Sequence, residues 1–104
     1  MRVATLTVNP SIDQSTSVKR VEPEHKLRCS EPRYDAGGGG INVARVLKRL
    51  GVEVTAVFPA GGITGGMLEK LVAAEGLDFV AVPICGTTRI NVHVDETATG
   101  GAPL

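Results

Sequence analysis

Ala36-Gly37-Gly38-Gly39-Gly40-Ile41-Asn42-Val43-Ala44-Arg45 decides how the rest of this 104-residue chain is read. Four consecutive glycines carry no Cβ, so the backbone is free to take positive φ and to lay its N–H groups directly against a bound molecule. Helical spacing follows at once. Val43, Val46, Leu47 and Leu50 fall at i, i+3, i+4, i+7 of one face, Arg45, Lys48 and Arg49 fall largely on the other, and Gly51 sits where a helix stops. The glycines are therefore expected at a helix N-terminus, where unpaired amides and the positive end of the helix dipole favour sugar hydroxyl oxygens or phosphate. A flexible linker is the alternative for such a run. Its direct fusion to an amphipathic helix, with the amide of Asn42 in the first turn, favours a ligand cradle.

Two glycine fingerprints do not fit. The dinucleotide pattern GxGxxG needs a third glycine where Asn42 or Val43 stands, and in GxxxxGK[ST] the run Gly61 to Gly66 is followed by Met67 instead of lysine. With two Phe, one Tyr and no Trp, the core is left to aliphatic residues, as in a small α/β fold. Eleven basic against eleven acidic residues leave no net charge, which speaks against a nucleic-acid footprint or a polybasic membrane surface. Cys29 and Cys85 are too far apart for a metal knuckle or a disulfide framework. No signal peptide precedes Val3, so a reducing cytoplasm is the expected compartment. No apolar run approaches the roughly 20 residues that cross a bilayer.

Along the chain, Arg2 to Val8 reads as a short buried strand, broken by Asn9-Pro10-Ser11. Asp13 follows just beyond the strand's carboxyl end, where open α/β sheets place ligand-binding residues; a helix cap or turn acid is the plainer reading. Ser15 to Tyr34 is polar and irregular, with a coarse alternation through Lys26-Leu27-Arg28-Cys29-Ser30 that suggests an edge or protruding strand. Lys26 and Arg28 on one side suggest an anion, or simply a solvated face. Val52 to Phe58 reads as a second strand closed by Pro59-Ala60-Gly61-Gly62. A second helix is capped by Thr64, buries Met67, Leu68, Leu71 and Val72, and ends at Gly76; Asp78 to Val82 is a third strand. Strand-helix alternation of this kind implies a mostly parallel sheet with right-handed crossovers. Arg89 to Asp95 alternates strictly, Ile90, Val92 and Val94 against Arg89, Asn91, His93 and Asp95, and reads as a half-exposed strand. His93 is a surface residue with no companions at metal-ligand spacing, and His25 is uncommitted. Glu96 to Leu104 has no periodicity. Three parallel strands and two helices leave a sheet face and edge without cover, so the chain is expected to stop before the fold is finished.

Taken together, Leu6-Thr7-Val8-Asn9-Pro10-Ser11-Ile12-Asp13, Lys26-Leu27-Arg28-Cys29, Gly37 to Arg45, Phe58-Pro59-Ala60-Gly61-Gly62 with Thr64-Gly65, and Thr88 to Val94 resemble the amino-terminal part of the ribokinase-like carbohydrate kinases, in particular the branch of bacterial minor-type 6-phosphofructokinases. The resemblance covers nearly the whole chain. It implies an α/β fold, a mostly parallel sheet flanked by helices with a small β lid, in which residues 1–104 are the amino-terminal part of the kinase domain and segments near 15–35 and 88–100 form the lid. It also implies a site for fructose 6-phosphate. Asp13 would accept from sugar hydroxyls, Gly38 and Gly39 would allow close approach of the ring, and Asn42 would fix its orientation. Lys26 and Arg89 would pair with the 6-phosphate, and Arg28 would reach the site of a neighbouring subunit. These residue types suit the task, because a carboxylate and an amide match neutral hydroxyls while a dianion needs cations.

The implied reaction of the parent enzyme is ATP- and Mg²⁺-dependent phosphorylation of fructose 6-phosphate to the 1,6-bisphosphate in glycolysis, in a homodimer clasped through the lid. Fructose 1-phosphate or tagatose 6-phosphate kinases, or a non-catalytic phosphosugar-binding or dimerisation module, are the alternatives. The catalytic Gly-Ala-Gly-Asp motif of these kinases, with its anion hole and nucleotide pocket, is absent from this sequence. No catalytic, cofactor-binding or metal-binding residue is therefore assigned, and the chain alone is expected to be inactive, with no ATP or Mg²⁺ bound. The tail departs too: Gly100 meets Gly101-Ala102-Pro103-Leu104 where the lid strand of these kinases continues through aromatic residues, which implies either that lid residues are missing from this sequence or that the lid is shortened.

Overall fold

The computed structural model describes residues 1–23, 26 and 28–97, and the backbone of 102–103. Its core is organised on the strand Glu53–Ala60, whose alternate side chains Val54, Ala56, Phe58 and Ala60 all point one way and are all buried. In chain order the elements are β1 (Arg2–Leu6), β2 (Ser11–Val18), β3 (Arg33–Gly37), α1 (Gly39–Arg49), β4 (Glu53–Ala60), α2 (Gly62–Ala74), β5 (Asp78–Pro83), β6 (Arg89–Glu96) and β7 (Ala102–Pro103). β4 lies between β1 and β5 in a parallel three-stranded sheet, with Thr5 opposite Ala56 and Ala56 opposite Phe79. Successive right-handed crossovers that step the same way across a sheet put their helices on one face. Ile41 and Ala44 of α1 and Leu68 and Val72 of α2 close the core there, and the rings of Phe58 and Phe79 stack 5.6 Å apart.

The opposite face of this sheet is bare, which corrects the expectation of a buried first strand. Leu6 and Val8 are 68% and 76% exposed, and Val80 and Val82 of β5, across β4 from them, are exposed as well. Helix α1 also turns differently from its expected stripe. Its inward side is Ile41, Ala44 and the half-buried Leu47, while Val46 is 52% and Leu50 72% exposed. The helix is apolar on two sides, so spacing alone does not select which side meets the sheet. Both helices stop as expected, at Gly51 and Gly76, each in the left-handed region at φ 81° and 74°. Met67, Leu68, Leu71 and Val72 face the core as read, but Thr64 is inside α2 and does not cap it; the cap position belongs to Gly61.

A second sheet stands beside the first, in the order β3-β2-β6-β7. β2 pairs antiparallel with β3 and parallel with β6, placing Asp13 between Asp35 and Asn91. This strand was hidden in the sequence because Ser-Ile-Asp-Gln-Ser-Thr-Ser-Val shows little apolar alternation; its pairing on both sides supplies the order. Asp13 is accordingly a strand residue, neither a cap nor a turn acid. Leu27 and His25 lie outside the described residues; Lys26 and Arg28 to Ser30 are not in a strand, and Ser30 is tied to Ser17 and Thr16 by hydrogen bonds. The tail is not wholly irregular either, since β7 pairs antiparallel with the end of β6, Glu96 opposite Ala102. Thr99 and Gly100 lie outside the described residues. Among the described residues no helix is long and apolar enough to cross a membrane.

Candidate functional site

Because β1, β4 and β5 are parallel, their carboxyl ends share one edge, and the start of α1 is drawn to that edge by Thr7. Its buried hydroxyl accepts the amide hydrogen bond of Ile41 at 2.9 Å, serving a helix whose own cap position, Gly38, has no side chain. Gly38 needs its φ of 138°, and a Cβ on it would meet Thr7 Cγ2 at 2.4 Å. Gly40 is pressed as closely, since its Cβ would lie 2.4 Å from Thr7 Oγ1. Gly39 differs: nothing stands within 4 Å of its Cβ position. Two of the glycines thus seat the helix on β1, and the third opens on free space beside amides that have no intrahelical acceptor.

Gly37 has another task. A Cβ there would sit 2.3 Å from Asp13 Oδ2 and 2.8 Å from Ser11 Oγ, so its absence makes room for the Asp13 carboxylate. The pairing of Ser11 with Gly37 and Arg89, and of Asp13 with Asp35 and Asn91, sets these polar side chains in two adjacent rows on one face of the second sheet. Ile12 and Ala36, on its other face, are buried in the core and anchor the rows. Ser11 Oγ donates to Asp13 Oδ1 at 2.8 Å, and Asn91 Nδ2 donates to the same oxygen at 3.4 Å. Arg89 Nη1 donates to Asn91 Oδ1 at 3.1 Å and Nη2 to the Asn9 carbonyl at 3.2 Å. The start of β6 is held in turn by buried Thr88: its hydroxyl accepts from Gly61 N–H, its carbonyl accepts from the Thr64 hydroxyl at 2.7 Å, and its amide donates to Gly61 O. Arg89 is therefore positioned by the first turn of α2.

Asn42, on the first turn of α1, shares with Asp13 a cleft of about 330 Å³ lined also by Arg33, Asp35 and Arg45. Arg45 Nη1 donates to Asn42 Oδ1 at 2.8 Å, and Nη2 to the Ala36 carbonyl at 3.0 Å. Glu75, at the far end of α2, accepts from Arg45 Nε at 2.5 Å and Nη2 at 2.9 Å. The hydrogen bond to Glu75 raises the Arg45 pKa above its ordinary value; burial works against it, and the charges of Glu75, Asp35 and Asp13 reinforce it. Arg45 is a fixed cation here.

The structure thus brings Asp13 and Asn42 to one cleft and links Arg89 to Asp13 through Asn91, while Gly39, in the first turn of α1, is not among the residues lining that cleft. Gly38 precedes it, with its Cβ direction filled by Thr7. Lys26 and Arg28 are exposed in the irregular segment between β2 and β3, and among the described residues no hydrogen bond or ion pair joins them to this group. Among the described residues no three His, Cys, Asp or Glu side chains gather to hold a metal. Ser11, Asn91 and Arg45 carry the network yet have no assigned role in the sequence reading. Asn91 was discoverable, being two residues from Arg89 on the same face of an alternating strand. Arg45 was not, because its partner Glu75 is thirty positions away.

Residues 6–102 match the profile of the pfkB family carbohydrate kinases. The chain is 51% identical over 98 residues to an ATP-dependent 6-phosphofructokinase isozyme 2 of Mycobacterium tuberculosis, a match that covers 94% of this chain and 29% of that protein. It is 36% identical over 96 residues to a 1-phosphofructokinase of Xanthomonas campestris, covering 92% of this chain and 30% of that one. The crystal structure of Escherichia coli phosphofructokinase-2 in complex with fructose-6-phosphate superposes with a TM-score of 0.90 at 46% identity, over 99% of this chain and 34% of that chain. The chain therefore spans about a third of the length of the proteins it matches. A profile match over nearly every residue, on a parallel sheet bearing two helices and a second small sheet, settles the kinship: the chain belongs to the pfkB family of carbohydrate kinases.

Proposed function

We propose that residues 1–104 are the amino-terminal, sugar-phosphate-binding part of a kinase that transfers the γ-phosphoryl group of ATP to the 1-hydroxyl of fructose 6-phosphate. The observation that carries this is the hydrogen-bonded row Asp13–Asn91–Arg89, which sets a hydroxyl acceptor and a phosphate partner on one rigid face. Asp13 and Asn42 hold the ring hydroxyls, Gly38 and Gly39 let the ring approach, and Arg89 offers a guanidinium fork to the 6-phosphate. Lys26 joins Arg89 when the second sheet closes over the sugar, and Arg28 reaches across to a second copy. The face of that sheet that carries Ile12 extends past the core and leaves Tyr34, Ile90 and Val92 exposed, which suits pairing of two copies into a dimer. The metal and the nucleotide are assigned no residue of this chain, whose sequence lacks the Gly-Ala-Gly-Asp motif that the family resemblance sets beside them. Glycolysis in the cytoplasm is the setting this chemistry implies. The higher identity to a 6-phosphofructokinase than to a 1-phosphofructokinase favours fructose 6-phosphate over fructose 1-phosphate.

Calorimetry on the whole protein that carries this sequence tests the reading. Arg89→Ala is expected to weaken fructose 6-phosphate binding about 10- to 100-fold, the worth of one or two charge-assisted hydrogen bonds, with less than about a twofold change for fructose. Equal losses for both sugars refute the phosphate assignment.

A further inference from the structure

We infer that Arg45 is a positioning residue that fixes which end of the Asn42 amide meets the sugar; the inference rests on the sugar site proposed above. An Asn amide has an acceptor end and a donor end that differ little in shape, so a ligand meets a defined one only if something locks the other. Arginine carries donors alone. With Nη1 2.8 Å from Asn42 Oδ1, the carbonyl end is turned to Arg45, and the Nδ2 donors are the end set free for a ligand. Asp13 is set in the complementary sense. Its Oδ1 takes hydrogen bonds from Ser11 and Asn91, and Oδ2, over Gly37, has no hydrogen-bond partner among the described residues. Between them Asp13 and Asn42 then present an acceptor and a donor to the cleft, which suits a pair of hydroxyls of which one gives its proton and the other receives one.

What makes Arg45 able to do this is that it cannot turn away. Four hydrogen bonds hold its guanidinium, two of them to the Glu75 carboxylate and one to the Ala36 carbonyl that leads into the glycine run. Its side chain is only 23% exposed. The carboxyl end of α2 thereby sets the donor polarity of a residue on the first turn of α1.

A double-mutant cycle on the whole protein, read by fructose 6-phosphate calorimetry, tests this. Arg45→Met is expected to weaken binding about tenfold on its own, and by less than about twofold in an Asn42→Ala background, since the interaction it serves is already gone. A tenfold loss in both backgrounds means Arg45 acts on the fold in general and overturns the inference. Should Arg45→Met not fold, Glu75→Gln, which loosens the same clamp, is expected to give about a threefold loss that likewise vanishes with Asn42→Ala; an additive loss overturns the inference equally. A crystal structure of either variant without ligand separates this from the sugar assignment: the Asn42 side chain leaves its wild-type rotamer if Arg45 holds it, and an unchanged rotamer overturns the inference whatever the protein binds. Absence of phosphosugar binding by the unsubstituted protein, with Asn42 displaced in the variant, overturns the sugar-site reading and leaves the clamp standing.

Discussion

Gly39→Ala separates a glycine kept for a ligand from a glycine kept for the fold. Gly39 is the first residue of α1, its φ lies outside the left-handed region, and a methyl there meets nothing within 4 Å. The free protein has no steric reason to object. Alanine in place of glycine in a helix gains roughly 0.5–1 kcal/mol, and the first position takes the lower part of that range, so stability should rise by about 0.5 kcal/mol. The same methyl stands where the cradle is open, and non-bonded carbons keep about 3.5–4 Å apart, so a sugar ring drawn close to the backbone must retreat by an ångström or more. A retreat of that size breaks the hydrogen bonds to Asp13 and Asn42. At about 1 kcal/mol for the neutral partner and 1.5–3 for the charged one, the loss is roughly 2.5–4 kcal/mol, or about 60- to several hundred-fold in Kd. Urea unfolding and fructose 6-phosphate calorimetry on the same preparation read both effects. An affinity within twofold of the unsubstituted protein refutes the reasoning, because it leaves the open glycine without a ligand.

Gly37→Ala probes the neighbouring position by a different route: its Cβ would lie 2.3 Å from Asp13 Oδ2, so the carboxylate must move and give up Ser11. A loss of about 1.5–3 kcal/mol in sugar binding is expected with the β2–β3 pairing intact, and unchanged binding in calorimetry contradicts the role of Asp13. Thr5→Val addresses stability alone. The Thr5 hydroxyl is buried and has no hydrogen-bond partner among the described residues, and the nearly isosteric valine should stabilise the fold by about 1 kcal/mol in urea unfolding; a loss of stability means that hydroxyl is satisfied in solution.

How far the sequence could be read depended on which rule governed each segment. β6 and the two helix stops were legible because strict alternation and an isolated glycine after an apolar stripe are local signals. Strand β2 was not, since Ser11 to Val18 owes its order to two neighbours, one of them some eighty positions away. The inward side of α1 was misread because Ile41 and Ala44 are less conspicuous than Val43, Val46 and Leu50, and only the sheet decides between them. Among the candidate ligand residues, Asp13 and Asn42 stand out by position, at a strand end and a helix start, while the phosphate role of Arg89 rests on the family resemblance alone. The network that orients them was not legible, because Ser11, Asn91, Arg45 and Glu75 act through distances no spacing rule contains.

A crystallographic map of the whole protein grown with fructose 6-phosphate bears most directly on the central claim. The account predicts sugar density against Gly39, hydroxyls within hydrogen-bond reach of Asp13 and of Asn42 Nδ2, and the phosphate on Arg89. Density for the sugar elsewhere, with the space over Gly39 filled by protein, contradicts it.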